Sequence, residues 1–324
     1  MPLTTRRDLL AAGAALATGG VFAQPAFPNR PVRLIVPNPP GGPTDIIGRL
    51  LAENMRSTLG QMVVVENRAG ASGLIGTAAV AHAAPDGYTV LLTSRSNHTM
   101  APLVQASTQV DPPRDLVPVG LALRAVGMFV TNSQSKLRSL EDFIAFARAN
   151  PGKLNYGSSG IGVLNHVSVE QFKAMASIDM MHIPYKGTAP IIVGLMGNEV
   201  QFAALDFASA QGGMKAGTVV PLVQTGTKRL PSLTEVPTLA EAGFRNFDPS
   251  FWVGLAVPRN TPEHALVRLN AALNEALAQT RLKAYAQANG WELAGGAPKV
   301  LADVIGADLL ELPPLLKRLD LKTR

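Results

Sequence analysis

From residue 32 onward, the hydrophobic positions of this chain switch repeatedly between two spacings. Val32 to Val36 is a short β-branched run. A Pro/Gly loop over 37–43 follows it, and then Ile46, Ile47, Leu50, Leu51 and Met55 recur at helical spacing until Gly60 stops them. Residues 62–66 and 88–93 read as the next strands, with a helix over 74–82 between them and Pro85-Asp86-Gly87 as a turn. A second block of the same kind begins near Met128. Its predicted strands are 129–131, 154–157, 181–184, 200–205 and 219–224, and its predicted helices are 139–150 and 164–176. Ser139 is placed to cap the first of these helices, with Asp142 at the third helical position, and Asn150-Pro151-Gly152 ends it. Residues 251–257 form a further strand. Thr261-Pro262-Glu263 then opens a long helix with Thr261 as N-cap, and the chain reads as helical from there to its end. Strands alternating with helices predict an α/β fold. Two such blocks and a helical tail predict two lobes, with the tail returning to the first.

Ahead of these blocks, Arg6 and Arg7 precede an apolar run over 9–22, and Val21-Phe22-Ala23 has a small-x-small cleavage pattern. The run is too short to span a bilayer, which takes roughly 20 apolar residues. The order of arginine pair, apolar run and cleavage site predicts a twin-arginine signal peptide over 1–23, cut after Ala23, and so export to the periplasm. Length suggests about two domains. With no cysteine, neither disulfides nor a thiol nucleophile are available. Removing Arg6, Arg7 and Asp8 with the leader takes the formal charge from +6 to +5. That mild excess, without a dense Lys/Arg cluster, gives no ground for nucleic-acid binding. It favours anionic ligands modestly, or serves solubility alone.

Candidate chemistry sits where strands meet helices. In Asn38-Pro39-Pro40-Gly41-Gly42-Pro43-Thr44-Asp45 the glycines let backbone amides approach a ligand, and Thr44 or Asp45 can cap the helix. A helix N-terminus favours an anion; the plainer reading is a βα turn. No nucleotide-binding glycine fingerprint is present. Tyr156-Gly157-Ser158-Ser159-Gly160-Ile161-Gly162 repeats the arrangement in the second block, and lacks the glycine a nucleophile elbow needs at position 161. Two such loops facing each other make a cleft with converging N–H groups. Thr93-Ser94-Arg95-Ser96-Asn97-His98 adds hydroxyls, an amide and a guanidinium. Arg95 is placed to pair bidentately with a carboxylate, or to be a solvated loop residue. His166 and Glu170 lie four apart on one helix with His182 beyond, a weak metal signature that does not predict a metal site. Lys186 follows a strand end and reaches either an anion or solvent. No cofactor is called for.

Several stretches together resemble the Bug-type substrate-binding proteins of tripartite tricarboxylate transporters. They are Pro40-Gly41-Gly42-Pro43-Thr44-Asp45, Val63-Val64-Val65-Glu66-Asn67-Arg68-Ala69-Gly70-Ala71, Ala84-Pro85-Asp86-Gly87-Tyr88, residues 150–158, Pro184-Tyr185-Lys186-Gly187 and residues 236–243, and they run in order across nearly the whole mature chain. The resemblance implies a two-lobed, hinged periplasmic-binding-protein fold of type II, each lobe a β-sheet flanked by helices. It places the crossings near 124 and 248: lobe 1 is 24–124 and 248–324, and lobe 2 is 125–247. It implies a small carboxylate ligand held by Pro40, Gly41, Gly42 and Asp45 from the first lobe and by Ser158, Ser159 and Gly160 from the second, with His166 on the following helix. Ser94, Arg95, Asn97, Lys186 and Asp206 complete the expected set. The chain departs from the family pattern at Ala101-Pro102, at Arg95, and at Leu205, where many members carry an acid that here falls at Asp206. These departures lie where side-chain specificity is read.

The implied function is that of a receptor, not an enzyme. A monomer captures a carboxylate and delivers it to membrane permease subunits. A ligand-dependent partner of a membrane sensor kinase uses the same cleft and is the alternative. A hydrolase on an α/β scaffold is a third, disfavoured by the missing elbow and metal motifs.

Overall fold

The computed structural model describes residues 27–41, 43–105, 110–245 and 247–318. The expected signal peptide over 1–23 lies outside the described residues. In chain order the first lobe contributes β1 (Val32–Val36), α1 (Pro43–Leu59), β2 (Val63–Asn67), α2 (Leu74–Ala81), β3 (Thr89–Ser94) and β4 (Leu116–Ala125). The second contributes β5 (Gly127–Asn132), α3 (Leu140–Ala149), β6 (Asn155–Ser158), α4 (Leu164–Ala176), β7 (Met181–Pro184), α5 (Thr188–Met196), β8 (Phe202–Asp206), α6 (Phe207–Lys215) and β9 (Val219–Gln224). The chain returns as β10 (Phe251–Pro258), α7 (Glu263–Ala278), α8 (Thr280–Ala288), β11 (Trp291–Leu293) and α9 (Pro298–Arg318).

Two mixed sheets result, in the orders β11-β4-β10-β3-β1-β2 and β7-β6-β8-β5-β9. In the first, β1 is parallel to β2 and β3, while β10 runs antiparallel between β3 and β4. Parallel β1 and β3 therefore end on the edge where β10 begins, and where Ala125 at the end of β4 faces both Phe251 and Trp291. In the second sheet β6 and β8 are parallel and end on the edge where antiparallel β5 begins, with Gly127 opposite Asp206. Only Val126 separates the two sheets at the first crossing, so these two edges face one another.

The sequence forms these elements for ordinary reasons. α1 presents Ile47, Leu51, Met55 and Leu59 to Val32, Leu34 and Val36 of β1, each fully buried side chain of this kind contributing roughly 1.5–3 kcal/mol. Gly60, at φ 68°, takes the left-handed conformation that ends the helix. In the second lobe Phe143 stacks on Phe202 at 4.6 Å and Phe129 packs on Phe172 at 5.0 Å. Ser139 caps α3 as expected, accepting the Asp142 N–H at 3.0 Å.

Three expectations need correction. β4 has no counterpart in the sequence reading, because Pro118 and Gly120 interrupt its apolar alternation. The tail is not helical throughout: Gln279 and Gly290 break it, and the short β11 pairs with β4. Thr261 does not cap α7; its hydroxyl donates to the Pro258 carbonyl at 2.8 Å, and Pro262 holds the cap position.

A buried ion pair ties the first lobe together. Arg95 Nη2 lies 2.8 Å from Asp308 Oδ1 on α9, with the side chains only 7% and 6% exposed. Arg95 Nη1 donates to the carbonyls of Asp248 at 2.8 Å and Ser250 at 3.2 Å, in the returning crossing. Asp308 Oδ2 accepts from Trp252 Nε1 and from the Thr99 hydroxyl, both at 2.9 Å. Further along α9, Leu312, Leu315 and Leu316 join Met100 in an apolar cluster with Val167 of α4, so the helix also touches the second lobe.

Asp308→Ala leaves the Arg95 charge buried and uncompensated, and should lower the unfolding free energy by about 3–5 kcal/mol. Urea denaturation checks this. The double variant Arg95→Met/Asp308→Leu should lose less than the sum of the two single losses.

Candidate functional site

A cleft of about 570 Å³ opens between the two sheet edges. Its first-lobe wall comes from Thr44, Ile46 and Ile47 at the start of α1, Ser96 after β3, and Phe251, Tyr285 and Trp291 of the returning chain. Its second-lobe wall comes from Ser159, Val163, Asn165 and Ser168 around the start of α4, Thr188 at the start of α5, and Asp206 and Ala208 at the start of α6. Four helices thus direct their N-terminal ends at one space. Such an end carries a partial positive charge, worth about 0.3–1 kcal/mol to an anion and up to about 2 where partly buried, but the end of α6 is already capped by the Asp206 carboxylate, which leaves the starts of α1, α4 and α5 to a ligand anion. Among the described residues lining the cleft there is no Lys, Arg or His, and Asp206 is the one carboxylate.

The α1 loop is held by an acid that the sequence offered as a ligand contact. Asp45 is 2% exposed. Its Oδ2 accepts the Gly41 N–H and Arg49 Nε, both at 2.9 Å, and its Oδ1 accepts Asn67 Nδ2 at 2.8 Å. Burial works against the charge, but the hydrogen bonds from Arg49, Gly41 and Asn67 outweigh it and hold the carboxyl at about 2. Asn67 Nδ2 also donates to the Asn38 carbonyl at 3.0 Å, so the end of β2 and the start of α1 jointly fix the loop. Gly41, at φ 81°, is exposed, and nothing lies within 4 Å of the Cβ it lacks, so its turn conformation is what requires glycine. Pro40 is exposed beside it. Gly42 lies outside the described residues.

The helical turn after β3, Ser96–Met100, is likewise ordered from within. Asn97, 1% exposed, accepts the Ser94 N–H at 2.7 Å and the Ser94 hydroxyl at 2.6 Å, and donates to Thr77 Oγ1 at 2.9 Å. Ser94 and Asn97 therefore support Ser96, which reaches the cleft. Arg95 is the clearest correction. Expected to read a ligand acid group, it is committed to Asp308 and to the crossing at 248–250, and its guanidinium is not available to a ligand. Only its unusual identity in an otherwise small-residue loop hinted at a structural role.

In the second lobe Ser159 meets the expectation of a cleft position, its N–H and hydroxyl both donating to Asn165 Oδ1 at 3.1 Å. Ser158 is fully buried. Its hydroxyl donates to the Gly160 carbonyl at 2.8 Å and sits 2.6 Å from His182 Nε2. His166 accepts the Gly162 N–H on Nδ1 at 3.1 Å and stacks on His182 at 4.1 Å, while His182 stacks on Tyr156 at 4.8 Å. This column braces the 158–162 loop, so Ser158 and His166 shape the wall without lining it. Gly160, half-buried at φ 144°, turns the loop. Lys186 is exposed and does not line the cleft, which selects the solvated reading. Asp206 does line it, and at the same time caps α6, its Oδ1 accepting the Ser209 N–H at 2.8 Å and its Oδ2 the Ser209 hydroxyl at 2.7 Å. The sequence reading missed Asn165, Thr188, Phe251, Tyr285 and Trp291, which reach the cleft only because the returning chain and the helix starts are brought to one edge. Among the described residues no cluster of His, Cys, Asp and Glu can hold a metal ion.

Comparison with known proteins agrees with this geometry. The model of the tripartite tricarboxylate transporter family receptor matches residues 47–321, and the chain belongs to that family. BugT of Bordetella pertussis is 38% identical over 279 residues, 84% of this chain and 84% of that one. Among solved structures, R. palustris Rpa4515 with adipate is 32% identical with a TM-score of 0.77, over 90% of this chain and 97% of that chain. MatC from Rhodopseudomonas palustris with bound malate is 30% identical with a TM-score of 0.73, over 90% of this chain and 100% of that chain. The fold is that of the two-lobed periplasmic binding proteins, and the family is one of receptors, not enzymes.

Buried histidines make the fold acid-sensitive. Burial pushes His98 down to about 4, and burial with the adjacent His182 pushes His166 down to about 4. His182 is lowered in the same direction by burial. An unfolded histidine titrates near 6.5, so between pH 6.5 and 4 the unfolded chain binds protons that the folded chain does not. The stabilisation is complete above about pH 6.5 and drains away as pH falls towards about 4. Unfolding free energies from urea denaturation at pH 7.5 and 4.5 should differ by about 5 kcal/mol, the sum of about 2.5 from each of His98 and His166. His166→Gln, which takes up no proton in this range, should make the pH slope shallower.

Proposed function

We propose that this chain is an extracytoplasmic receptor that captures a small carboxylate between its lobes and delivers it to the membrane permease subunits of a tripartite tricarboxylate transporter. The observation that carries this reading is the convergence on one interlobe cleft of the N-termini of α1, α4 and α5, with no Lys, Arg or His among the described residues that line it. A carboxylate gains there from backbone N–H groups, from the Ser96 and Thr188 hydroxyls and from the Asn165 side-chain amide, an arrangement suited to holding an anion and releasing it unchanged. The adipate and malate complexes of the two R. palustris relatives support the ligand class.

The domain reading follows the sheets. Lobe 1 is 24–124 with 248–324 and lobe 2 is 125–247, joined at Val126 and at 248–250. Strands of the first sheet drawn from both ends of the chain support this division. Closure about the two crossings brings Ser96 and Ser159 onto one ligand, a contact set the open form lacks. The leader over 1–23 directs export to the periplasm. No helix among the described residues is long and apolar enough to cross a membrane.

A carboxylate at a hundred times its dissociation constant should stabilise the protein by about 2.7 kcal/mol. A thermal-shift screen of carboxylates finds it, and small-angle scattering should then show a smaller radius of gyration. A scattering profile unchanged at saturation would count against hinged capture. N-terminal sequencing of protein from its native host should begin at Gln24, and replacing Arg6 and Arg7 with Lys should abolish export.

A further inference from the structure

The cleft is not the same along its length. In the first sheet its edge passes from β1 through β3 and β10 to β4 and β11. In the second it passes from β6 through β8 to β5 and β9. At the β1/β6 end stand Thr44, Ser96, Ser159 and Asn165 with the starts of α1 and α4. At the end next to the crossing, Phe251 and Trp291 both lie opposite Ala125 in the sheet register. Tyr285 packs on Trp291 at 5.3 Å between ring centroids. Across from them Asp206 faces Gly127. Four strand spacings separate β1, which leads to Thr44, from β11, which carries Trp291, so these two strand ends are roughly 19 Å apart, with Ser96 after β3, Phe251 on neighbouring β10 and Asp206 at the end of β8 lying between them.

This layout bears on what a carboxylate does once its first acid group is seated among the hydroxyls and helix starts. The rest of the ligand runs towards Phe251, Tyr285 and Trp291, where flat apolar surface is available and no cation lines the wall. A second carboxylate arriving there meets the Asp206 anion and no Lys, Arg or His among the described residues. Asp206 uses one acceptor site on each oxygen to cap α6, and each oxygen retains another. A donor on the ligand, an ammonium or a hydroxyl, satisfies it.

Building on the receptor function above, we propose that the cleft selects an extended monocarboxylate with a ring or other flat apolar body and a hydrogen-bond donor at its far end, and that Asp206 is the residue discriminating against diacids. The 570 Å³ volume agrees, being in the range of sites that enclose ligands well beyond the size of a four-carbon diacid.

The test is calorimetry on the full mature chain with benzoate, 4-(aminomethyl)benzoate, terephthalate and succinate. 4-(Aminomethyl)benzoate should bind at least tenfold more tightly than terephthalate or succinate. Asp206→Asn keeps a capping side chain on α6 and should shrink the preference over terephthalate to below threefold. Trp291→Ala should weaken the ring-bearing acids at least tenfold more than succinate, and thermal melts of both variants check that they fold. Tighter binding of succinate or terephthalate to the unaltered protein would overturn the proposal while leaving the carboxylate receptor standing. A preference over terephthalate that survives Asp206→Asn would remove Asp206 from its role. Silence towards all four acids, with no shift in a wider carboxylate screen, would overturn the receptor reading and this proposal together.

Discussion

The buried pair of Arg95 and Asp308 is the constraint around which the first lobe is arranged. Taking two charges out of water is unfavourable by several kcal/mol per ion unless their remaining hydrogen-bonding capacity is met. Here it is met for the Arg95 Nη groups and both Asp308 oxygens from distant parts of the chain, the carbonyls of Asp248 and Ser250 on one side and Trp252 and Thr99 on the other, while Arg95 Nε alone stays buried without a partner. None of these groups can move away without stranding a charge. The helical turn after β3, the returning crossing, the start of β10 and the middle of α9 are therefore one unit. That unit carries Ser96 into the cleft wall, so Ser96 inherits its position from an ion pair it never touches.

The same economy of charge governs the cleft. Nearly every cation near it is already engaged: Arg95 with Asp308, Arg49 with Asp45, Arg124 with Asp248. What remains for an anion is backbone. Dipolar groups at helix starts attract a carboxylate without the strong, directional demand of a guanidinium, and do so from fixed positions. Fixing those positions is the task of Asp45 and Asn67 in the first lobe and of Asn165 and the His166–His182 column in the second. The acids and histidines that look functional in the sequence are mostly the frame, and the cleft wall next to them is built from short hydroxyl and amide side chains.

That division explains what could be read from the sequence. Most strands of the two blocks and the helices α1 to α4 were legible because β1, α1, α3 and α4 carry strong periodicity and clear stop signals; α5 and α6, interrupted by Pro190 and Gly194 and by Gly212 and Gly213, were not. Nor was β4, because Pro118 and Gly120 break its alternation; the strand tolerates them because at these positions it pairs with β10 alone, β11 covering only residues 123–125. The loops of the site were legible as Gly- and Ser-rich joins between strand and helix, and Ser159 and Asp206 do reach the cleft. The partners of Arg95, His166 and Asp45 were not legible. Asp308 lies more than two hundred residues from Arg95, and no local pattern relates them. Trp291 and Phe251 became part of the site only through their register opposite Ala125, a property of the sheet and not of any segment.

How the lobes come to close also follows from the frame. α9 is anchored to the first lobe by Asp308, yet its Leu312, Leu315 and Leu316 share a cluster with Met100 of the first lobe and Val167 of the second, with Leu164 at its margin. A hinge opening that parted α9 from α4 would expose those side chains to water, at about 25 cal/mol for each Å² of apolar surface. A ligand shifts the equilibrium only by its differential affinity for the two forms. With helix dipoles in place of cations, the charge-dependent part of that difference is small, a kcal/mol or so per helix end. The apolar contact adds a bias towards closure that does not depend on the ligand. Closure can then be driven by a ligand of low charge, provided its body fills the space between Trp291 and the second lobe.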